Sequence, residues 1–337
     1  MYQPLISQLA HIELLTPRPA ESVEFFTDVF GLERASEEGN SAFLRCWGDY
    51  FHHSLQITEA ERPALGHIGW RSAGPDQLQI AVERLEASGL GEGWREPVQG
   101  HGAAYRYKGP SGHQHEIFWD VDRYEAPPEL RSTFPTRPQR ISNRSAAPRQ
   151  LDHVTVASAD PLGDSHWYRD TLGYRHTEYT VVADAPDVCF FSMVSTNEKS
   201  HDLGLSLDNS DVAGRLHHFA FWVDSVEDVL RVADVLLESG HAIEYGPGRH
   251  GHGEQTYLYF REPGGIRVEV NSGGYRIYQP DWEAVRWFPE QGSNTMYRNT
   301  RMPDSMMEAF PLDDGSVVAP EPELAGLANP WGEEGSG

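Results

Sequence analysis

LDHVTVASA, residues 151–159, is the stretch that decides the fold, because its pattern returns three more times along the chain. The other copies are LAHIELLTP at 9–17, LGHIGWRSA at 65–73 and LHHFAFWVD at 216–224. Each copy places a histidine third in a short run rich in apolar residues, which is typical of a β-strand. A pattern that occurs at four places indicates a chain built from four related units.

An amphipathic helix is predicted after each of these strands. In the fourth unit, VEDVLRVADVLLESG (226–240) carries apolar residues at steps of three and four, as one face of a helix requires. Each half of the chain then closes with strands around a turn, Pro-Ser-Gly at 110–112 and Pro-Gly-Gly at 263–265. The order of one strand, one helix and about three strands predicts an α+β fold with two βαβββ modules in each half.

Four segments are expected along the 337 residues. Residues 1–125 are predicted to form an N-terminal domain of two modules, and residues 150–290 a C-terminal domain of the other two. Residues 126–149 hold several prolines without any periodicity, so they are predicted to be a linker. Residues 291–337 are predicted to be a C-terminal tail, since they end in a stretch rich in acidic residues, proline and glycine.

The composition excludes several classes of partner. The formal net charge of −24 argues against binding to nucleic acid or to an anionic membrane surface. Only two cysteines are present, Cys46 and Cys189, so no disulfide framework is expected and a cytoplasmic location is predicted. The N-terminal residues show no signal-peptide pattern, and no apolar run approaches the ~18 residues that cross a bilayer.

Three side chains suggest a metal site in the second half. His153 and His218 hold the third position of two successive strand motifs, and Glu269 is a single carboxylate inside an apolar run. Equivalent positions in related modules should meet at one place in the fold. Two imidazoles and one carboxylate form the facial triad that binds non-haem Fe(II) and leaves coordination positions open. The sequence therefore predicts a metallo-oxygenase.

The stretch from Gly248 to Glu269 also carries a longer motif. It reads Gly-x-His, seven residues, Leu-Tyr, two residues, Glu-Pro, x-Gly, three residues and Glu. In this motif the chain resembles the type I extradiol catechol dioxygenases of the vicinal oxygen chelate superfamily, over roughly residues 5–290. The resemblance implies open barrels built from paired modules, with the C-terminal domain catalytic and the N-terminal domain not.

The resemblance implies a role for six residues and a cofactor. His153, His218 and Glu269 would bind Fe(II), although the same ligand set also accepts Mn(II). His201 would act as acid and base beside the metal. His250 and Tyr259 would form hydrogen bonds with the substrate oxygen and the reaction intermediate. The implied partners are a catecholic small molecule and O2, and the implied assembly is a homo-oligomer, with a tetramer as the expected form.

The first half repeats the ligand set at equivalent positions, with His11, His67 and Glu116. His53 also parallels His201. The position equivalent to His250, however, is Pro97, and the position equivalent to Tyr259 is Arg106. The groups that support the ligands of a metal site matter to metal affinity and to function. We therefore expect His11, His67 and Glu116 to form a buried hydrogen-bonded cluster without a catalytic metal.

The expected reaction is cleavage of catechol, or of a simple substituted catechol, to a 2-hydroxymuconic semialdehyde. Two alternatives keep the chemistry and change the substrate to homoprotocatechuate or dihydroxybiphenyl. Thr155, Met193 and Tyr245 stand where the homoprotocatechuate branch carries Asn, Trp and Arg, so a carboxylated substrate is disfavoured. A third alternative is a non-redox member of the superfamily, such as an isomerase or a binding protein.

Neighbouring residues receive simpler interpretations. His217 is expected to face away from His218, because side chains alternate along a strand. His252 is predicted to be a surface residue. Phe190, Phe191, Met193 and Phe219 are candidate walls of an apolar pocket.

Overall fold

The computed structural model of the chain describes residues 4–141, 147–294 and 302–313. The rest of the predicted linker and tail lies outside these residues. Within them the chain forms two β-sheets, each with two helices from its own half. No helix in the described ranges combines the length and the apolar character needed to cross a membrane.

The first half contains two βαβββ modules in the predicted order. The first module consists of β1 (Ile6–Thr16), α1 (Pro19–Glu24), β2 (Glu33–Glu38), β3 (Ser41–Arg45) and β4 (Leu55–Glu59). The second consists of β5 (Ala64–Ser72), α2 (Pro75–Ser88), β6 (Gly91–Arg95), β7 (Ala104–Lys108) and β8 (Gln114–Phe118). Helix α1 continues directly into a π-helical turn, Phe25–Val29.

The second half repeats this order and adds one short strand. The third module consists of β9 (Gln150–Ser158), α3 (Pro161–Leu172), β10 (Arg175–Val182), β11 (Ala185–Ser195) and β12 (Leu203–Leu207). The fourth consists of β13 (Leu216–Trp222), α4 (Val226–Glu238), β14 (Ile243–Arg249), β15 (Gln255–Arg261) and β16 (Arg267–Gly273). Strand β17 (Val285–Trp287) then pairs with β10.

Local sequence determines where these helices begin and end. The Asp160 side chain accepts a hydrogen bond from Gly163 N and caps α3, and Ser225 caps α4 through Asp228 N. Helix α3 ends at Gly173, whose φ of 75° is a left-handed conformation that glycine adopts without strain.

The sheet topology brings the three predicted metal ligands onto adjacent strands. The nine-stranded sheet has the order β14-β15-β16-β13-β9-β12-β11-β10-β17. Glu269, His218 and His153 lie on β16, β13 and β9, which are neighbours in that order. In the eight-stranded sheet, Glu116, His67 and His11 occupy the matching neighbours β8, β5 and β1.

The two halves share one hydrophobic core. Phe26, in the π-helical turn after α1, lies 6.2 Å from Phe219 and 6.3 Å from Phe221, measured between ring centroids. In the opposite direction, Tyr168 of α3 hydrogen-bonds to His115 of β8 over 2.9 Å. Each half therefore packs a helical segment against the sheet of the other half.

Residues 302–313, which lie within the predicted tail, pack onto the C-terminal half. Phe310 forms an isolated bridge with Leu216 and is fully buried. Arg215 donates to the carbonyl of Ala309, and Arg267 donates to the carbonyl of Glu308. This segment covers the end of β13 from which His218 projects.

Candidate metal centre and active site

His153, His218 and Glu269 meet with their ligand atoms facing one another. The Nε2 atoms of the two histidines are 3.2 Å apart. Glu269 Oε2 lies 3.2 Å from the Nε2 of His153 and 3.1 Å from that of His218. All three side chains are buried, so the structure brings together the three predicted ligands.

A metal ion fits this triangle. An ion bonded at about 2.1 Å to three ligands at right angles separates the ligand atoms by about 3.0 Å. Glu269 Oε1 is buried and, within the described residues, has no hydrogen-bond partner. Burial opposes ionisation of Glu269, but the neighbouring imidazoles hold the pKa of this carboxyl well below its usual value. A charged carboxylate with an unsatisfied buried oxygen suits a bound cation.

The side chain of Asp152 orients the first histidine. Its Oδ2 accepts a hydrogen bond of 2.9 Å from His153 Nδ1, and bonds from Gln255 and Asn271 at 3.1 and 3.0 Å. Burial opposes ionisation, but Lys199 and His153 keep the pKa of Asp152 well below its usual value. His153 Nδ1 thus carries its proton towards Asp152, which leaves the lone pair of Nε2 for a metal.

The second histidine is oriented through its neighbour His217. His217 Nε2 donates to the carbonyl of Met306 over 2.8 Å, which leaves His217 Nδ1 as an acceptor. This atom is 2.6 Å from His218 Nδ1, so His218 donates there and presents the lone pair of its Nε2 to the site. The expectation that His217 faces away is wrong, because the pairing of β13 with β9 shifts register between Leu216 and His218.

His201 lies beside the first ligand without being part of the triangle. Its ring centroid is 4.1 Å from that of His153. Burial lowers the pKa of His201 well below its usual value, and the neighbouring His153 lowers it further. A neutral imidazole in this place can accept a proton from a group bound in front of it.

His250 and Tyr259 form a hydrogen-bonded pair on the other side of the triangle. His250 Nδ1 donates to the carbonyl of Asn294, so its Nε2 accepts the Tyr259 hydroxyl proton over 3.0 Å. His250 Nε2 lies 3.9 Å from Glu269 Oε1. Burial raises the pKa of Tyr259 well above its usual value, and Glu269 adds to this, so the phenol remains protonated.

A cavity of about 450 Å³ opens in front of these six residues, and all six line it. Phe190, Phe191 and Met193 form part of its wall, as predicted, whereas Phe219 lies in the core. Met302, Met306 and Met307 line it as well. Within the described part of the chain, its lining includes no lysine or arginine. The cavity suits a small, largely apolar ligand without a negative charge.

Several residues that contribute to this site were not predicted from the sequence. His252 is not a surface residue: its Nε2 lies 2.7 Å from the hydroxyl of Thr180, and it lines the cavity. Asp152 and Lys199 were also overlooked. The signal for Asp152 was its position directly before a ligand, but alternation along a regular strand would place it on the opposite face.

The first half forms a comparable triangle. His11 Nε2 lies 2.9 Å from His67 Nε2 and 3.2 Å from Glu116 Oε1, and His67 Nε2 lies 3.3 Å from the same oxygen. All three side chains are buried. The His53 ring lies 4.8 Å from that of His11, as the parallel with His201 suggested.

Comparison with known proteins identifies chains that are similar to this one. The model of the Glyoxalase/Bleomycin resistance protein/Dioxygenase superfamily matches residues 8–117 and 150–270. A metapyrocatechase of Geobacillus stearothermophilus is 36% identical, over 94% of this chain and 97% of the relative. A manganese-dependent 2,3-dihydroxybiphenyl 1,2-dioxygenase of Geobacillus genomosp. 3 is 39% identical, over 84% of this chain and 90% of the relative.

Solved structures give the same result. The homoprotocatechuate 2,3-dioxygenase of Arthrobacter globiformis matches with a TM-score of 0.79 and 26% identity, over 91% of this chain and 92% of that one. The 2,3-dioxygenase LapB of Pseudomonas sp. KL28 matches with a TM-score of 0.76 and 24% identity, over 86% and 99%. Because the latter identity is low, that likeness bears on the fold alone.

Proposed function

Because the chain belongs to the Glyoxalase/Bleomycin resistance protein/Dioxygenase superfamily, and within it to the extradiol ring-cleaving dioxygenases, we propose that it cleaves catechol or a simple substituted catechol with O2 at an Fe(II) ion. The resemblance predicted from residues 248–269 is confirmed, and so is the α+β fold of paired βαβββ modules. The proposed product is a 2-hydroxymuconic semialdehyde. The proposed ligands are His153, His218 and Glu269.

One observation carries the proposal: the triangle of two imidazoles and a carboxylate opens directly onto an apolar cavity of about 450 Å³. When bound at His153, His218 and Glu269, the metal would supply open coordination positions for a catechol and O2. The apolar wall excludes water, and this strengthens every electrostatic interaction inside the cavity. The lack of a cation among its described lining residues favours a neutral catechol over a carboxylated one.

Side chains of the protein accept, donate or hold the protons that the reaction involves. A catechol must lose protons to chelate a cation, and His201 is the neutral imidazole placed to accept one. Tyr259 stays protonated and can redirect its hydroxyl from His250 to a substrate oxygen. Asp152 and His217 hold the two ligand histidines in the tautomers that leave Nε2 unprotonated. Before substrate arrives, the Tyr259 proton is donated to His250 and each ligand histidine carries its proton on Nδ1.

A second candidate substrate is a dihydroxybiphenyl. The 39% identical relative is named for that activity, and the cavity extends past the triad to Met302, Met306 and Met307. Catechol alone leaves much of this apolar volume unfilled. The same relative is named manganese-dependent, and the ligand set accepts Mn(II) as well as Fe(II). Substrate and metal are therefore tested together.

The test is anaerobic loading of the stripped protein with Fe(II) or Mn(II), addition of substrate, and admission of air. Catechol, methylcatechols, 2,3-dihydroxybiphenyl and homoprotocatechuate are compared by kcat/KM, with the yellow ring-cleavage product as the readout. We expect the highest value for catechol or a methylcatechol with Fe(II). A higher kcat/KM for dihydroxybiphenyl than for catechol would make dihydroxybiphenyl the proposed substrate. A higher kcat/KM with Mn(II) than with Fe(II) would make manganese the proposed metal. No product from any catechol in metal-loaded protein contradicts the proposed function.

Assembly and location remain part of the proposal. We propose a homo-oligomer, for which light scattering after gel filtration is the test. We also propose a cytoplasmic location. Both cysteines are free and buried, which suits a reducing compartment.

A further inference from the structure

We propose that the N-terminal half binds a second divalent transition-metal ion at His11, His67 and Glu116. The ion would be held in the eight-stranded sheet and would not take part in ring cleavage. The proposal stands independently of the proposed function, because it concerns other residues in the other half of the chain. It also revises the expectation of a cluster held by hydrogen bonds alone.

The donor atoms have the spacing of a metal site. The distances among the two Nε2 atoms and Glu116 Oε1 are 2.9, 3.2 and 3.3 Å, close to the 3.1–3.2 Å of the C-terminal triangle. Glu116 Oε1 is buried and, as far as the described residues go, lacks any well-directed hydrogen bond. Imidazole nitrogens and a carboxylate suit zinc.

A carboxylate behind His67 points the lone pair of this ligand inwards. His67 Nδ1 donates to Glu13 Oε2 over 2.7 Å, so the neutral ring presents an unprotonated Nε2 to the centre. This carboxylate–histidine pairing is the usual support of a metal ligand. Glu13 performs for His67 the function that Asp152 performs for His153 in the other half.

His101 supplies a second observation that points to a cation. Its Nδ1 donates to the carbonyl of Gly102 over 2.8 Å, and its Nε2 lies 3.0 Å from Glu116 Oε1. In the neutral ring a lone pair would then face a carboxylate oxygen. A metal ion held between the carboxylate and the imidazole nitrogens would relieve this contact and the matching one between His67 and Glu116.

His101 was not expected at this place. Pro97 aligns with His250 in the sequence, which suggested that nothing replaces that histidine. In the structure the loop between β6 and β7 brings His101 to the carboxylate of Glu116, just as His250 approaches Glu269. The support of the N-terminal triangle is therefore fuller than the alignment of the repeats indicated.

The surroundings explain why this site should not cleave a catechol. Arg106, which stands at the position of Tyr259, places its Nε 2.9 Å from Glu116 Oε2. The adjoining cavity measures only about 220 Å³, and Glu92, Arg95 and Glu96 line it. A charged, narrow cavity without a phenol donor does not suit a neutral aromatic ring.

The test counts metal in the full chain. Stripped wild type, Glu116→Gln, Glu269→Gln and the double variant are dialysed against buffered free Zn(II), and zinc per chain is measured by mass spectrometry. We expect two ions in wild type, one in each single variant and none in the double variant. Glu13→Gln should weaken only the N-terminal site, by about 10- to 100-fold, and Asp152→Asn is the matched control that weakens only the other site.

Three results would overturn the proposal. One is a single ion in wild type that Glu269→Gln abolishes. The second is two ions that persist in Glu116→Gln, which would place the extra ion elsewhere. The third is a Glu13→Gln affinity equal to that of wild type at both sites. If circular dichroism shows that Glu116→Gln does not fold, this variant is set aside as a test. The zinc content of wild type and of Glu269→Gln then decides between the proposed metal site and a cluster held by hydrogen bonds alone.

Discussion

Glu269 is the only carboxylate in the C-terminal triangle, and its side chain is 1% exposed. We predict that Glu269→Ala abolishes both stoichiometric metal binding and ring cleavage, because the two histidines alone leave the cation without a counter-charge. The loss of metal affinity should exceed the ~100-fold that removing a supporting group costs. Metal content after gel filtration and product formation are the measurements.

The matched control is Glu238→Ala, which removes an exposed carboxylate at the end of α4. This variant should keep the wild-type metal content and activity. If Glu269→Ala instead retained stoichiometric iron, the proposed ligand set would be wrong.

His201 has a different proposed role, that of an acid and base, because it lies beside the triangle and contributes no ligand atom to it. We predict that His201→Phe keeps metal and substrate binding but lowers kcat by about 100-fold or more, the usual contribution of a positioned acid or base. His201→Asn, which is smaller and keeps a polar group, is the second variant. A kcat within a few-fold of wild type in both variants would remove His201 from the mechanism.

At the scale of elements, two irregular strands bring the supporting residues to the site. Strands β9 and β13 shift register between Leu216 and His218, and again opposite Asp152. Such a bulge places an extra residue in one strand and redirects its side chain. Asp152 and His217 can therefore contact the ligand that follows each of them. Regular alternation would have placed both on the opposite face.

The segment formed by α1 and its π-helical turn joins the two sheets. Phe26 is fully buried between this segment and Phe219 and Phe221 of β13. We predict that Phe26→Ala lowers the free energy of unfolding by about 3–5 kcal/mol, the usual cost of removing a buried aromatic ring. Urea unfolding followed by circular dichroism measures this change.

Phe134→Ala provides the comparison, because Phe134 is 57% exposed. Its removal should change the free energy of unfolding by less than about 0.5 kcal/mol. Equal effects of the two substitutions would mean that the segment does not depend on packing against the second sheet.

At the scale of the whole molecule, His113 links the two halves. It follows the turn before β8, is 1% exposed, and donates through Nε2 to the carbonyl of Arg215 over 2.9 Å. Burial lowers the pKa of His113 to about 4, against an ordinary value of 6.5. As the pH falls, His113 is therefore protonated at a higher pH in the unfolded chain than in the folded protein.

The contribution of His113 to stability is complete above pH ~7 and decreases as the pH falls from 6.5 to 4, by up to about 3 kcal/mol. We predict that His113→Gln, which keeps an amide donor for Arg215 and does not titrate, has a shallower decrease of unfolding free energy over that range. Urea unfolding of both proteins at several pH values is the measurement. Parallel curves would show that His113 is not responsible.

Much of this architecture could be predicted from the sequence. Strand-forming runs with a histidine in third place, each followed by a helical pattern, determine four modules, because hydrophobic periodicity is a local property of the chain. The spacing from Gly248 to Glu269 likewise carries the family resemblance, since the motif runs along three successive strands, β14, β15 and β16, each paired with the next. These features depend on short separations in sequence.

Only the tertiary structure decided how the triangles are supported. His101 contacts Glu116 because of the path of the loop between β6 and β7, which the alignment of the repeats does not show. His217 turns towards His218 because β13 is irregular. The residues around Met306 return to the active-site cavity from the predicted tail. The sequence by itself determined the modules and the ligand types through local periodicity and spacing. The hydrogen bonds that orient those ligands depend on bulges, loop paths and contacts between distant segments, whose energies no local pattern encodes.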